Sequence, residues 1–198
     1  MIITNIGDLK NVFDLTNEGN KRLYDRACFL YELLEHYGDN ITDINIDLEA
    51  ASILYLDFHA DINTVIATMI YRIVQKLHIP DTEILRLFNE DIKNKVNMLI
   101  KFDEKLDSVS NNNHLQMIKS LTRDVRVAVI KLVEKSTTFN HMKKREFTNK
   151  KEFVNDTLNF YVPISKLLGI YKIKNRLEDA CFKYNHNFNA ASDIVKMA

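Results

Sequence analysis

Breakers are scarce in this 198-residue chain: it has four glycines, two prolines and no tryptophan. That excludes collagen-like, linker-rich and turn-dense all-β chains, because short-strand folds need many Gly/Pro turns. The two cysteines, Cys28 and Cys181, are too few for a disulfide framework and fall within helical patterns. They read as core thiols of a reducing cytosol. Charge of one sign is also lacking. Lys+Arg and Asp+Glu number 27 each, so a broad electrostatic nucleic-acid surface is not expected. No run of 18 apolar residues exists for a membrane span, and the acids Asp8 and Asp14 disagree with a signal peptide. Standard signatures are missing as well: no GxGxxG, P-loop, HExxH, CxxC or GxSxG. The six histidines do not pair at metal-ligand spacing.

What the chain has is helical period. Hydrophobic residues make up 46%, an ordinary globular share. Leu23, Ala27, Leu30 and Leu34 mark one helix from Lys21, ended by Gly38-Asp39-Asn40. Residues 41–46 alternate and read as a loop, and 47–58 as a second helix. Ile62, Val65, Ile66, Met69, Ile70, Ile73, Val74 and Leu77 describe a nearly fully buried central helix. After Pro80, with Asp81 or Thr82 as cap, helical spacing runs to Leu99 with a break near Asn89. Residues 107–113 are polar. A long helix is expected over 114–135. Val125, Val127 and Val129 also alternate, so a strand competes at 125–133; the helical pattern before them favours helix. Residues 140–151 read as a basic loop, with Lys143, Lys144, Arg145 and Lys151 as candidate phosphate contacts against the simpler reading of a solvated loop. A further helix from Phe153 carries a break at Pro163 and ends at Gly169, and another follows through Ile173, Leu177, Cys181 and Tyr184. The expectation is an all-α single domain over 1–198, with a lead-in at 1–19, a core at 20–190 and at least eight helices.

Three strings carry a resemblance. They are Asp124-Val125-Arg126-Val127-Ala128-Val129-Ile130-Lys131-Leu132; then Asp156-Thr157-Leu158-Asn159-Phe160-Tyr161-Val162-Pro163-Ile164 with Leu168-Gly169-Ile170; then Ile173-Lys174 with Leu177-Glu178-Asp179-Ala180-Cys181-Phe182-Lys183-Tyr184. In this order and at these intervals they resemble the RelA/SpoT family over about residues 20–190. The resemblance implies the family's all-α HD-type hydrolase domain, which removes the 3′-diphosphate of the alarmone (p)ppGpp. Synthetase and regulatory domains usually follow in the family, and no stretch here matches them.

The resemblance also implies a divalent metal, usually manganese, held by one His, a His-Asp pair on the buried helix and a distant Asp. Flanking residues put Asp47 at the first His, Tyr71-Arg72 at the His-Asp pair and Glu134 at the last Asp. The assisting acidic pair is replaced by Gln75-Lys76. The Arg- and Ser-containing loop that contacts guanine has no match around residues 36–46. Manganese prefers imidazole and carboxylate ligands, and a guanidinium stays protonated and cannot ligate a cation. The expectation is therefore a pseudo-hydrolase with no cofactor, in which Arg72 pairs with Asp47, Glu134 or both and Tyr71 packs alongside. Its partners would be a (p)ppGpp synthetase domain, another protein or a guanine nucleotide, in the cytoplasm, with no nucleic acid and no membrane. Two alternatives remain open. One is an active (p)ppGpp 3′-pyrophosphohydrolase or other nucleotide phosphohydrolase, with manganese in a rearranged site joining Asp47 and Glu134 to His59 or His141. The other is a nucleotide-independent interaction scaffold.

Overall fold

The structure, a computed structural model, describes residues 5–36, 42–107, 124–142 and 150–196. Among them there is no strand. The chain forms two compact units, residues 1–134 and 135–198.

The first unit opens on a 3-10 turn, Ile6–Asn11, closed by a capping box between Asn5 and Asp8. Helix α1 spans Glu18–His36. It starts three residues before the expected Lys21 because Asn17, read as a breaker, is its cap: Asn17 Oδ1 accepts from the amides of Gly19 and Asn20 at 2.8 and 3.2 Å. Helix α2 spans Thr42–Phe58, so the expected loop at 41–46 is helical from Thr42 on. Ile44, Leu48 and Ala51 bury one side of α2, and Ile46, Ala50 and Leu54 another. Burial on two sides turns a 3.6 period into apparent alternation.

Helix α3, Ile62–Lys76, is the centre. Asp61 caps it, accepting from the Thr64 amide at 2.9 Å. Residues 64–71, 73 and 74 are buried, as the unbroken apolar period anticipates, and α1, α2 and a later helix, α5, pack around it. Helix α4, Asp81–Leu87, takes Pro80 as its cap position with no side-chain cap bond. Asp81 instead accepts from the Asn97 side chain at 3.0 Å, so the expected Asp81 or Thr82 cap does not form. Asn89 separates α4 from α5, Glu90–Asp107, and caps the latter through the Ile92 amide at 3.0 Å.

Helix α6 spans Val125–Met142, which settles the 125–133 ambiguity for helix. It does not run on from 114. Asp124 lies outside it and accepts from the Arg126 amide at 2.9 Å, so this acid is a cap rather than an interior residue; residues 114–123 lie outside the described part. Arg126 also reaches Asp124 Oδ2 at 2.9 Å, Asp91 at 3.2 Å and Asp61 at 3.7 Å. The beginnings of α3, α5 and α6 thus share one guanidinium.

The second unit takes the end of α6, then α7 (Lys150–Asp156), a π turn (Thr157–Tyr161), α8 (Val162–Leu167) and α9 (Tyr171–Lys196). Pro163 sits in the first turn of α8, where its missing amide is harmless, and the expected break is the π turn just before it. Gly169 has φ of 71° and makes the left-handed turn between α8 and α9. The basic stretch is shorter than expected: 140–142 and 150–151 are helical, so Lys151 is on α7, while Lys143, Lys144 and Arg145 lie outside the described residues.

Candidate functional site

Four helices of the first unit aim polar side chains at one buried point. From α2, Asp47 is fully buried. From α3 come Tyr71, fully buried, and Arg72, whose side chain keeps 24% of its exposure. From α6, one turn apart, come Lys131 and Glu134, each 4% exposed. From α5 comes Asp103. A helix as apolar as α3 brings a hydroxyl and a guanidinium inside only where partners wait for them.

The partners are present. An Arg72 Nη1 donates to Asp47 Oδ1, and Arg72 Nη2 lies 3.7 Å from Glu134 Oε2. The Tyr71 hydroxyl donates to Glu134 Oε2 at 3.1 Å. The ammonium of Lys131 donates to the Tyr71 hydroxyl oxygen at 3.0 Å, to Glu134 Oε2 at 3.0 Å and to Asp103 Oδ1 at 2.7 Å. Both cations also face the Tyr71 ring, Arg72 at 5.0 Å and Lys131 at 4.3 Å from its centre. Asp47, Tyr71, Arg72 and Glu134 are thus brought together. Gln75 and Lys76 follow one turn along α3, half-buried.

Burial drives the Asp47 carboxyl well above the ordinary range; Arg72 and Lys131 oppose this and Glu134 reinforces it. Burial likewise pushes the Tyr71 hydroxyl well up, so it stays a neutral donor. For Arg72, burial alone would weaken the cation, but Asp47, Tyr71 and Glu134 outweigh it and hold its proton more tightly than usual.

These side chains do not suit a divalent cation. Among the described residues, no group of three or more His, Cys, Asp and Glu side chains is placed to hold a metal ion. The guanidinium of Arg72 already occupies Asp47, and it and Lys131 would repel a third cation. His59 is exposed, at φ 50° just past α2, and forms no such group with Asp47 and Glu134. What the arrangement can do chemically is hold three carboxylates, two cations and a phenol together.

Sequence reasoning missed Lys131 and Asp103. Lys131 had a signal: a lysine inside Val127-Ala128-Val129-Ile130-Lys131-Leu132-Val133 must be buried, and Glu134 three residues on is a ready partner. Asp103 had none, since its link to Lys131 spans 28 residues of chain.

The model of the HD domain family matches residues 27–171. The chain belongs to that family. Within it the chain is of RelA/SpoT type, similar to proteins named guanosine-3′,5′-bis(diphosphate) 3′-pyrophosphohydrolase. That of Borreliella burgdorferi is 26% identical over 92% of this chain and 29% of its own length. That of Haemophilus influenzae is 24% identical over 75% of this chain and 23% of its own. The bifunctional (p)ppGpp synthase/hydrolase SpoT of Escherichia coli is 22% identical over 75% of this chain and 22% of its own. The HD-domain chain described here thus spans less than a third of the length of these curated relatives. No helix among the described residues is long and apolar enough to cross a membrane.

Proposed function

We propose that this RelA/SpoT-type HD domain does not hydrolyse (p)ppGpp and acts by binding, as a regulatory domain linked to guanosine tetraphosphate metabolism. The observation that carries the reading is Arg72, whose guanidinium lies against Asp47 and 3.7 Å from Glu134. A phosphohydrolase of metal type needs a cation with open coordination positions that acidifies a water. A guanidinium has neither open positions nor an acidifying effect of that size. It is instead a fixed donor fork that matches carboxylates. Binding would involve a guanine nucleotide, a synthetase domain or another protein. Calorimetric titration with ppGpp and with GTP, each with and without manganese, separates these. The expected result is no manganese-dependent pyrophosphate release in any mixture. Heat from a nucleotide would identify a nucleotide-binding regulator, and a flat response to both would leave a protein-binding scaffold.

The names of the relatives favour a second reading, a working 3′-pyrophosphohydrolase with a rearranged manganese site. Pyrophosphate released from ppGpp only when manganese is present would establish it and end the first.

A further inference from the structure

In the second unit, one amine is enclosed without a counter-charge. Lys135 is half-buried on α6, and its ammonium lies 3.5 Å from the centre of the Phe153 ring and 4.7 Å from that of Tyr161. Among the described residues it has no hydrogen-bond or ion-pair partner; the carboxylate that pulls on it, Asp156, does so from beyond salt-bridge reach. The walls are braced by packing. Phe139 meets Phe153 edge-on and Phe160 meets Tyr161 edge-on, each pair with ring centres 5.0 Å apart.

Both walls come from one helical run, since α7, the π turn and α8 follow without a gap. On a regular α-helix, Tyr161 would sit about 80° around the axis from Phe153, eight residues before it. The π turn adds one residue, the Val162 amide bonding five residues back to the Thr157 carbonyl. That brings Tyr161 to within about 20° of the Phe153 line. The Thr157 hydroxyl donates to the Phe153 carbonyl at 2.7 Å and ties the turn to α7. Such π turns recur at functional sites. Cys181 is buried on α9, and burial pushes its thiol up to about 11, so it stays neutral and supplies no anion. Burial pushes the Lys135 ammonium down to about 8, so a sizeable share is free amine near neutral pH.

We infer that Lys135 is a nucleophile that takes an acyl group from a small activated donor, an acyl phosphate or an acyl thioester, and that the Phe153 and Tyr161 faces seat the resulting amide. The Nζ lone pair attacks the carbonyl carbon. A C–N bond forms, the C–O or C–S bond breaks, and phosphate or thiol leaves with the proton that the nitrogen gives up. The amide is uncharged, which removes the cost of burying an ammonium, and its plane suits an aromatic face. Other electrophiles fit less well. An aldehyde would need an acid within hydrogen-bond reach to expel water, and none is placed there among the described residues. Carbon dioxide would leave an anionic carbamate against negative ring faces. The inference is independent of whether the domain hydrolyses or binds any nucleotide.

The test incubates the full chain at pH 7.5 with acetyl phosphate or with the acetyl thioester of a small thiol. Peptide mass spectrometry follows occupancy at Lys135, with exposed Lys166 of the same unit as reference. At that pH an amine titrating near 8 is neutral in roughly a quarter of molecules, against about one in a thousand for an ordinary lysine. The weaker base is the poorer nucleophile, and half-burial slows approach, so Lys135 should react about tenfold faster than Lys166. With rising pH its rate should level off above about 8.5, while that of Lys166 still climbs. Preference for Lys135 with either donor supports the inference, and the faster donor names the source. Lys135 reacting no faster than Lys166 with both donors, or climbing in parallel with it to pH 10, overturns it. Phe153→Ser lets water reach the ammonium and should abolish the preference, whereas Phe153→Leu keeps the enclosure apolar and should retain it. Circular dichroism checks that both fold, and the pH profile of the parent decides the matter if either does not. A preference unchanged in a folded Phe153→Ser variant also counts against the inference.

Discussion

At the scale of single residues, Arg72 ties the buried cluster together, lying against Asp47 and 3.7 Å from Glu134. Its carboxylate partners are buried, Asp47 fully and Glu134 to 4% exposure, so its removal strands charge out of reach of water. Asp47 Oδ2 already has no hydrogen-bond partner, which leaves Asp47 little to fall back on. Arg72→Ala should therefore cost about 2–4 kcal/mol in urea unfolding. Replacing both partners by apolar residues, Asp47→Leu/Arg72→Met, should recover most of that loss, because an ion pair exchanged for packing is often close to neutral. A double variant as unstable as Arg72→Ala would mean that packing, not stranded charge, sets the cost. Much of this cluster was legible beforehand. The run Met69-Ile70-Tyr71-Arg72 puts two polar residues where an apolar period demands burial, and the resemblance supplied Asp47 and Glu134 as neighbours from other helices. The fork of Lys131 between Asp103, Glu134 and Tyr71 was not, because side-chain reach between helices leaves no periodic trace in a sequence.

At the scale of elements, α6 shows how one helix serves two environments. Lys131 is held by carboxylates and a phenol, whereas Lys135, one turn on in the second unit, lies over two aromatic faces, 3.5 Å from the centre of Phe153 and 4.7 Å from that of Tyr161. Burial pushes the Lys135 ammonium down to about 8, against the pull of Asp156. A lowered lysine means that, between pH 8 and its ordinary 10.5, the unfolded chain still carries a proton that the folded chain has released. Stability contributed by this group therefore rises with pH across that window. The rise is at most about 3 kcal/mol by linkage, and the ring faces, which favour the cation, reduce it. Urea unfolding of the parent and of Lys135→Met from pH 7 to 10 should give a difference that changes in this direction; parallel profiles would show that Lys135 keeps an ordinary affinity for its proton. Helices were mostly legible where one face is apolar, as in α1 and α3. Their starts were misread where burial on two sides imitates alternation, as in α2, or where a polar residue is a cap, as Asn17 and Asp124 are.

At the scale of the whole molecule, charge sums to zero, yet the first unit concentrates three carboxylates, Asp47, Asp103 and Glu134, around two cations, Arg72 and Lys131. That excess of one negative charge is what a metal would exploit if the cluster had room for it. Without an ion, the Arg72 guanidinium against Asp47 counters part of that charge, while burial pushes the Asp47 carboxyl upward. The two accounts differ in a whole-chain property. A ligand that binds only the folded state at a hundred times its dissociation constant adds about 2.7 kcal/mol, and for a chain of this length each kcal/mol moves Tm by about 2–4 °C. Manganese bound at the cluster would thus raise the unfolding temperature of the first unit by roughly 5–10 °C, and a chelator would abolish the rise. With Arg72 seated against Asp47, millimolar manganese and EDTA should instead give superimposable melting curves by differential scanning calorimetry, and elemental mass spectrometry of the parent should find no stoichiometric manganese, zinc or iron. The same pair of scans on Arg72→Asp, which exchanges the guanidinium for a further carboxylate, should separate, the variant gaining stability with manganese. A parent that melts higher with manganese would mean that Arg72 yields its place to an ion.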